Sequence, residues 1–200
     1  MIRWLSFLWL ILFSSQALCT QLLVLGDSLS AGYQMPIEQA WPGLLPEALE
    51  KHHQTVSVIN GSVSGDTTGN ALARLPALLK QHKPSYVLIE LGANDGLRGF
   101  SPDIPKQNLI KIIDLIIQSG GKPILMQIRI PPNYGQRYSR LFSAIYPNIS
   151  DKKRIPLIPF FLEQVIIRPE WMKEDGLHPK AEAQPWIAET VARQISPLLK

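Results

Sequence analysis

Five short apolar runs punctuate the chain: "QLLVLG" (21–26), "VSVIN" (56–60), "SYVLIELG" (85–92), "KPILMQI" (122–128) and "IPLIPF" (155–160). Each is nearly continuous in Val, Ile and Leu, without alternating polar positions. That pattern marks parallel strands covered on both faces. Between the runs the period changes. "GNALARLPALLKQH" (69–82) places Leu72, Leu75, Leu78 and Leu79 on one helical face. "NLIKIIDLIIQSGG" (108–121) is apolar at Leu109, Ile112, Ile113, Ile116 and Ile117 and stops at Gly120 and Gly121, a helix-ending signal. "PKAEAQPWIAETVARQISPLL" (179–199) opens on proline and continues as an amphipathic helix. Strands alternating with helices at these spacings predict an α/β fold, a three-layer α/β/α sandwich around a central five-stranded parallel sheet. Ligands of such sheets bind outside the C-terminal ends of the strands.

Composition narrows the class. Of 200 residues, 46% are hydrophobic and 18% charged, a globular balance rather than a disordered one. No linker, repeat or low-complexity tract interrupts residues 20–200, which are expected to form a single domain. Residues 1–19 stand apart. Arg3, an apolar run from Leu5 to Phe13 and a small-residue zone give the layout of a secretory signal peptide, cleaved after Ala17 or after Cys19. The apolar run is too short for a membrane span. The chain is therefore expected to be exported. Cys19 is the only cysteine, so the mature chain is expected to hold no internal disulfide although an oxidising compartment would permit one. The net charge of +4 is scattered, with one short run at Lys152, Lys153 and Arg154. It suits transient contact with a lipid surface. No zinc spacing or aromatic-basic ladder points to nucleic acid.

Three strand ends and one late loop carry the candidate chemistry. The first run ends at Gly26-Asp27-Ser28; the second leads into "GSVSGDTT" with Gly65; the third ends in "LGANDG" with Asn94; and "KEDGLHP" brings Asp175 and His178 just before the last helix. Each feature has a plainer reading. Asp27 and Ser28 suit a helix N-cap, Asn94-Asp95-Gly96 suits a turn, and Asp-x-x-His by itself is a weak motif. In order, at successive strand ends, they make the inventory of acyl transfer. A serine hydroxyl needs a base to take its proton. Histidine serves near neutral pH, and a carboxylate fixes its tautomer. N–H donors meet the developing oxyanion: here the backbone of Ser28 and Gly65 and the amide of Asn94. The other histidines, His52, His53 and His82, sit at polar helix ends. The helix after the first strand is expected to aim its N-terminus at the developing negative charge.

The blocks "GDSLSAGY", "GSVSGDTT", "GANDGLRG" and "DGLHP" resemble those of the SGNH, or GDSL, hydrolase superfamily. The likeness is closer still to its multifunctional thioesterase I / protease I / lysophospholipase L1 family. "LMQIRIPPNYG", "FSAIYP" and "DGLHPKAEAQP" also look like that family, and the resemblance spans residues 21–199. It implies a flavodoxin-like hydrolase domain over 20–200. Ser28 would be the nucleophile, His178 the general base and acid, and Asp175 the orienting carboxylate. Ser28, Gly65 and Asn94 would form the oxyanion hole, and Asp27 would support the nucleophile loop. The segment Gly96 to Ser101 would gate an acyl groove lined by Leu97, Phe100, Ile130 and Pro131. The resemblance further implies a periplasmic monomer acting on small-molecule acyl substrates without metal or other cofactor. The activity it implies is broad hydrolysis of fatty-acyl thioesters such as acyl-CoA, lysophospholipids and simple esters. Carbohydrate O-acetyl esterases share the superfamily. An acetyl-specific site needs tight closure beside the oxyanion hole, whereas a lipid enzyme needs an open apolar groove.

Overall fold

The structure, a computed structural model, describes residues 20–200. The signal peptide expected over 1–19 lies outside the described residues.

Along the chain run β1 (Thr20–Gly26), α1 (Ser28–Ala31), α2 (Trp41–Glu50), β2 (Val56–Asn60), α3 (Thr68–His82), β3 (Tyr86–Glu90), α4 (Ala93–Leu97), α5 (Asp103–Gln118), β4 (Lys122–Met126), α6 (Gln136–Ser143), α7 (Ile145–Lys153), β5 (Leu157–Ile158), α8 (Leu162–Val165) and α9 (Gln184–Ile195). The five strands form one sheet in the order β2-β1-β3-β4-β5, all parallel. Leu22 to Leu25 of β1 and Val87 to Ile89 of β3 have no solvent exposure, as the unbroken apolar runs require for strands covered on both faces. Helix α2 pairs with α9 and α3 with α5. These helices flank the sheet and complete the α/β/α sandwich.

This strand order matters because β1 is followed by β2 on one side and by β3, β4 and β5 on the other. The chain reverses its direction of travel at β1 and β3, and a crevice opens beyond their C-terminal ends. Ser28 follows β1 and Asn94 follows β3, so they stand on the two sides of that crevice.

Several elements differ from the apolar-run expectation for identifiable reasons. The fifth strand holds two residues instead of six, because Pro156 and Pro159 carry no backbone donor for the ladder. Helix α5 starts at Asp103, five residues earlier than the apolar face of 108–121 suggests. Pro105 lies in its first turn, where proline is tolerated. The helix expected over 179–199 is regular only in α9, with Pro185 at its start and a tight 3-10 turn from Ser196 to Leu198 after it. The pair α6 and α7 has no counterpart in the sequence reading. Only Phe142 is buried in α6, too little apolar periodicity to announce a helix.

Candidate active site

The turn that carries Ser28 is built around buried carboxyl groups. The Asp27 side chain caps α1 by accepting from Leu29 N at 3.1 Å. The N-cap reading of Gly26-Asp27-Ser28 is therefore correct, and it coexists with a half-buried Ser28 that lines the cavity. Glu90, at the end of β3, is fully buried beneath this turn. Its Oε2 accepts from Ser30 Oγ at 2.7 Å and from Asp27 N at 3.4 Å. Gly26 is required here, because a Cβ would fall 2.8 Å from both Glu90 Oε2 and Ser30 Oγ. Burial, reinforced by the charge of Asp27, pushes Glu90 well above the ordinary carboxylate range. It stands as a prop beneath the turn, held by Ser30 and the Asp27 N–H. Burial also raises Asp27 to about 7, against the opposing hydrogen bonds from Leu29 and Asn94. Helix α1 is a single turn. It offers the crevice a free backbone N–H rather than the macrodipole of a long helix.

The late loop folds as a tight hairpin. Met172 and Pro179 form an antiparallel bridge, and Lys173 N donates to His178 O at 2.8 Å. At its tip Asp175 Oδ1 accepts from Leu177 N at 2.8 Å and His178 N at 3.0 Å. Gly176 there takes the left-handed φ of +66° that a side chain would resist. This Asx-type turn explains the Asp-Gly-Leu-His spacing: it bends the chain back until the Asp175 carboxylate meets its own imidazole. Asp175 Oδ2 lies 2.8 Å from His178 Nδ1, and His178 Nε2 lies 2.8 Å from Ser28 Oγ. Partial burial by itself would raise the Asp175 pKa. The backbone N–H groups of His178 and Leu177 and the His178 ring outweigh it and hold Asp175 at about 2. An ionised Asp175 only accepts, so Nδ1 carries the proton and Nε2 is left to accept from the serine hydroxyl. This linkage is what proton abstraction from Ser28 needs.

Three donors face the same crevice. The N–H groups of Ser28 and Gly65 have no protein acceptor among the described residues. Gly65 has a φ of +82°, and a side chain there would meet no protein atom within 4 Å, which leaves room for a bound group. The Asn94 amide is committed instead. Its Nδ2 donates to Asp27 Oδ2 at 3.1 Å and to Asp66 O at 3.0 Å. These bonds fix its orientation, and an oxyanion entering the crevice must share one of its hydrogens.

A cavity of about 620 Å³ opens from Ser28 and His178, within the usual range for small-molecule sites. Leu97, Ile130, Pro131, Phe160, Leu162 and Ile166 give it apolar walls, and Arg129 and Glu163 join them. The last two pair at 2.7 Å. The lining comes from segments after all five strands and from the late hairpin. At the usual strand spacing it therefore spans roughly 19 Å of sheet edge.

The sequence profile of the GDSL-like lipase/acylhydrolase family matches residues 24–184. The chain is 63% identical over 196 residues to an arylesterase of Vibrio mimicus, covering 98% of each protein. It is 52% identical over 199 residues to thioesterase 1/protease 1/lysophospholipase L1 of Escherichia coli strain K12, covering 98% of this chain and 94% of that one. The psychrotrophic esterase EstA of Pseudoalteromonas sp., solved with monoethylphosphonate as inhibitor, superposes with a TM-score of 0.86 at 40% identity, over 90% of this chain and 98% of that one.

The chain belongs to the GDSL-like lipase/acylhydrolase family.

As a GDSL-like acylhydrolase it is an ester hydrolase. Of the residues singled out from the sequence, Ser28, Asp175, His178, Gly65 and Asn94 gather within one crevice. Leu97, Ile130 and Pro131 line the cavity, but Phe100 does not. Its backbone is held instead: its N–H donates to Asp95 O at 3.0 Å and its carbonyl accepts from Tyr138 Oη at 2.7 Å. The segment Gly96 to Ser101 is also tied by Tyr134 Oη, which donates to Leu97 O at 2.9 Å, and by Arg98, which donates to Gly65 O at 3.2 Å. Of the other histidines, His52 pairs with Glu189 of α9 at 2.8 Å, and neither His53 nor His82 lines the cavity. Sequence reasoning passed over Tyr33, Phe160, Leu162, Ile166 and the Glu90 prop. A carboxylate inside "SYVLIELG" was the available signal for Glu90, since a charge in a strand buried on both faces needs a reason.

Proposed function

We propose that this protein hydrolyses fatty-acyl esters and thioesters, including lysophospholipids and acyl-CoA, through a Ser28-His178-Asp175 triad and an acyl-enzyme. The observation that carries this reading is the unbroken hydrogen-bonded chain from Asp175 to Ser28 at the head of a mainly apolar cavity of about 620 Å³. The Ser28 oxygen attacks the acyl carbonyl while His178 Nε2 takes its proton. The oxyanion of the tetrahedral intermediate is met by the N–H groups of Ser28 and Gly65 and by the Asn94 amide. Collapse expels the alcohol or thiol, which leaves with the proton from His178. Water, activated by the same imidazole, then attacks the acyl-serine and frees Ser28. The thioesterase and lysophospholipase names of the Escherichia coli relative are consistent with this substrate class. Residues 1–19 support export to the periplasm, which N-terminal sequencing of the secreted form would test; a mature N-terminus of Leu18 or Thr20 is expected.

The apolar groove, rather than a closed pocket at the oxyanion site, favours lipid acyl groups over acetyl. The test is hydrolysis of p-nitrophenyl esters from acetyl to palmitoyl. A kcat/KM that rises from acetyl to medium or long chains is expected, by about tenfold or more for every two buried methylenes up to the length of the groove. Activity confined to acetyl would contradict this reading and favour a carbohydrate O-acetyl esterase.

A further inference from the structure

Tyr33 closes the "GDSLSAGY" block, and its side chain touches the His178 imidazole. It follows Gly32, whose left-handed φ of +79° ends α1 and turns the chain back over the site. Its ring stacks on His178 with centroids 4.2 Å apart and planes inclined by 27°. The ring is itself held from the His178 hairpin. Lys173 Nζ donates to Tyr33 O at 2.9 Å and to Gln34 Oε1 at 3.3 Å, and it lies 5.2 Å from the Tyr33 ring centroid. Lys173 N also donates to His178 O. One lysine thus ties the loop after the nucleophile to the hairpin that carries the base.

We propose that Tyr33 is a positioning residue for His178: its ring fixes the imidazole plane between Ser28 and Asp175 and stabilises the imidazolium that forms when the serine proton is transferred. The inference rests on the Ser28-His178-Asp175 assignment and deepens it. A neutral imidazole loses little without the stack, whereas an imidazolium is drawn to the electron-rich ring face. The contribution therefore grows as the proton moves, which is what raises kcat rather than substrate affinity. The groups facing His178 act in known directions. The Asp175 carboxylate at Nδ1 favours the imidazolium, and Ser28 at Nε2 is neutral. The Lys173 ammonium, beside the ring, opposes it but is taken up by two carbonyl oxygens. Asp27, which also lines the cavity, adds negative charge on the nucleophile side above about pH 7.

The test compares Tyr33→Leu and Tyr33→Phe on p-nitrophenyl butyrate, with rates expressed per active serine counted by titration with a p-nitrophenyl phosphonate. A partly folded preparation then does not enter the comparison. Tyr33→Leu is expected to lower kcat by about 5- to 30-fold with little change in KM. The acid limb of its kcat/KM profile should move to lower pH by about 0.5 to 1, because an imidazolium without the stack loses its proton more readily. Tyr33→Phe keeps the ring and should stay within about threefold of the parent with an unmoved limb. The inference is overturned by a Tyr33→Phe as impaired as Tyr33→Leu, which would assign the effect to the hydroxyl. It is equally overturned by a Tyr33→Leu change confined to KM, or by no change at all. Ser28→Ala is run alongside. Activity surviving in that variant would overturn the triad assignment itself, and the Tyr33 inference with it.

Discussion

Replacing Ser28 by alanine is expected to lower kcat for a p-nitrophenyl ester by about 10⁴- to 10⁶-fold while leaving the fold intact. The size follows from the loss of the covalent route. Without Oγ, no acyl-enzyme forms, and His178 can only assist a poorly placed water. What remains is the contribution of the oxyanion donors and of binding in the groove. The fold should tolerate the change because the Ser28 side chain contacts the His178 ring, whereas α1 is capped by Asp27 and braced by Glu90 through neighbouring atoms. The unfolding midpoint should therefore stay within about 2 °C. Binding of a long-chain product, followed by fluorescence, should be retained, since the cavity walls are untouched. An intact rate in Ser28→Ala would refute the nucleophile assignment.

The second large effect is expected at Asn94. Asn94→Ala should reduce kcat by about 10²- to 10³-fold with KM nearly unchanged, the signature of a donor used in the transition state. It should also lower stability by about 1–3 kcal/mol, because Asp27 Oδ2 and the Asp66 carbonyl lose their common partner. This double consequence separates Asn94 from Ser28. In the free protein the amide is held by internal acceptors, so the same side chain is expected both to orient the buried Asp27 and to serve the reaction. A fall in stability with unchanged kcat would reduce Asn94 to a structural role and leave the oxyanion to the N–H groups of Ser28 and Gly65.

Local features of this site were legible in the sequence, and long-range ones were not. The ends of β1 and β3 could be placed because unbroken Val, Ile and Leu runs mark buried parallel strands, and the crevice rule then joins their loops. Asp175 and His178 could be paired because three residues suffice for an Asx-type turn. The Glu90 prop acts on residues 60 and 63 positions away, and Tyr33 stacks on a residue in the last quarter of the chain. No local pattern encodes either contact. Phe100 illustrates the converse. An apolar residue in the expected gating loop suggested a place in the groove, but the turn at Gly99, with φ of +69°, and the clasp of Tyr138 on its carbonyl position it elsewhere. The groove wall after β5 was hidden because Phe160, Leu162 and Ile166 lie in or beside a one-turn helix that follows a two-residue strand, both too short to carry a period.

The central claim is that catalysis proceeds by acylation of Ser28 with the proton taken by His178. It is tested most directly by reacting the protein with a p-nitrophenyl alkylphosphonate and locating the adduct by intact-mass and peptide mass spectrometry. One phosphonyl group per chain is expected, on Ser28, appearing in step with loss of activity and slowed by orders of magnitude in His178→Ala. Full inactivation with the adduct on another residue, or with no adduct, would contradict the account.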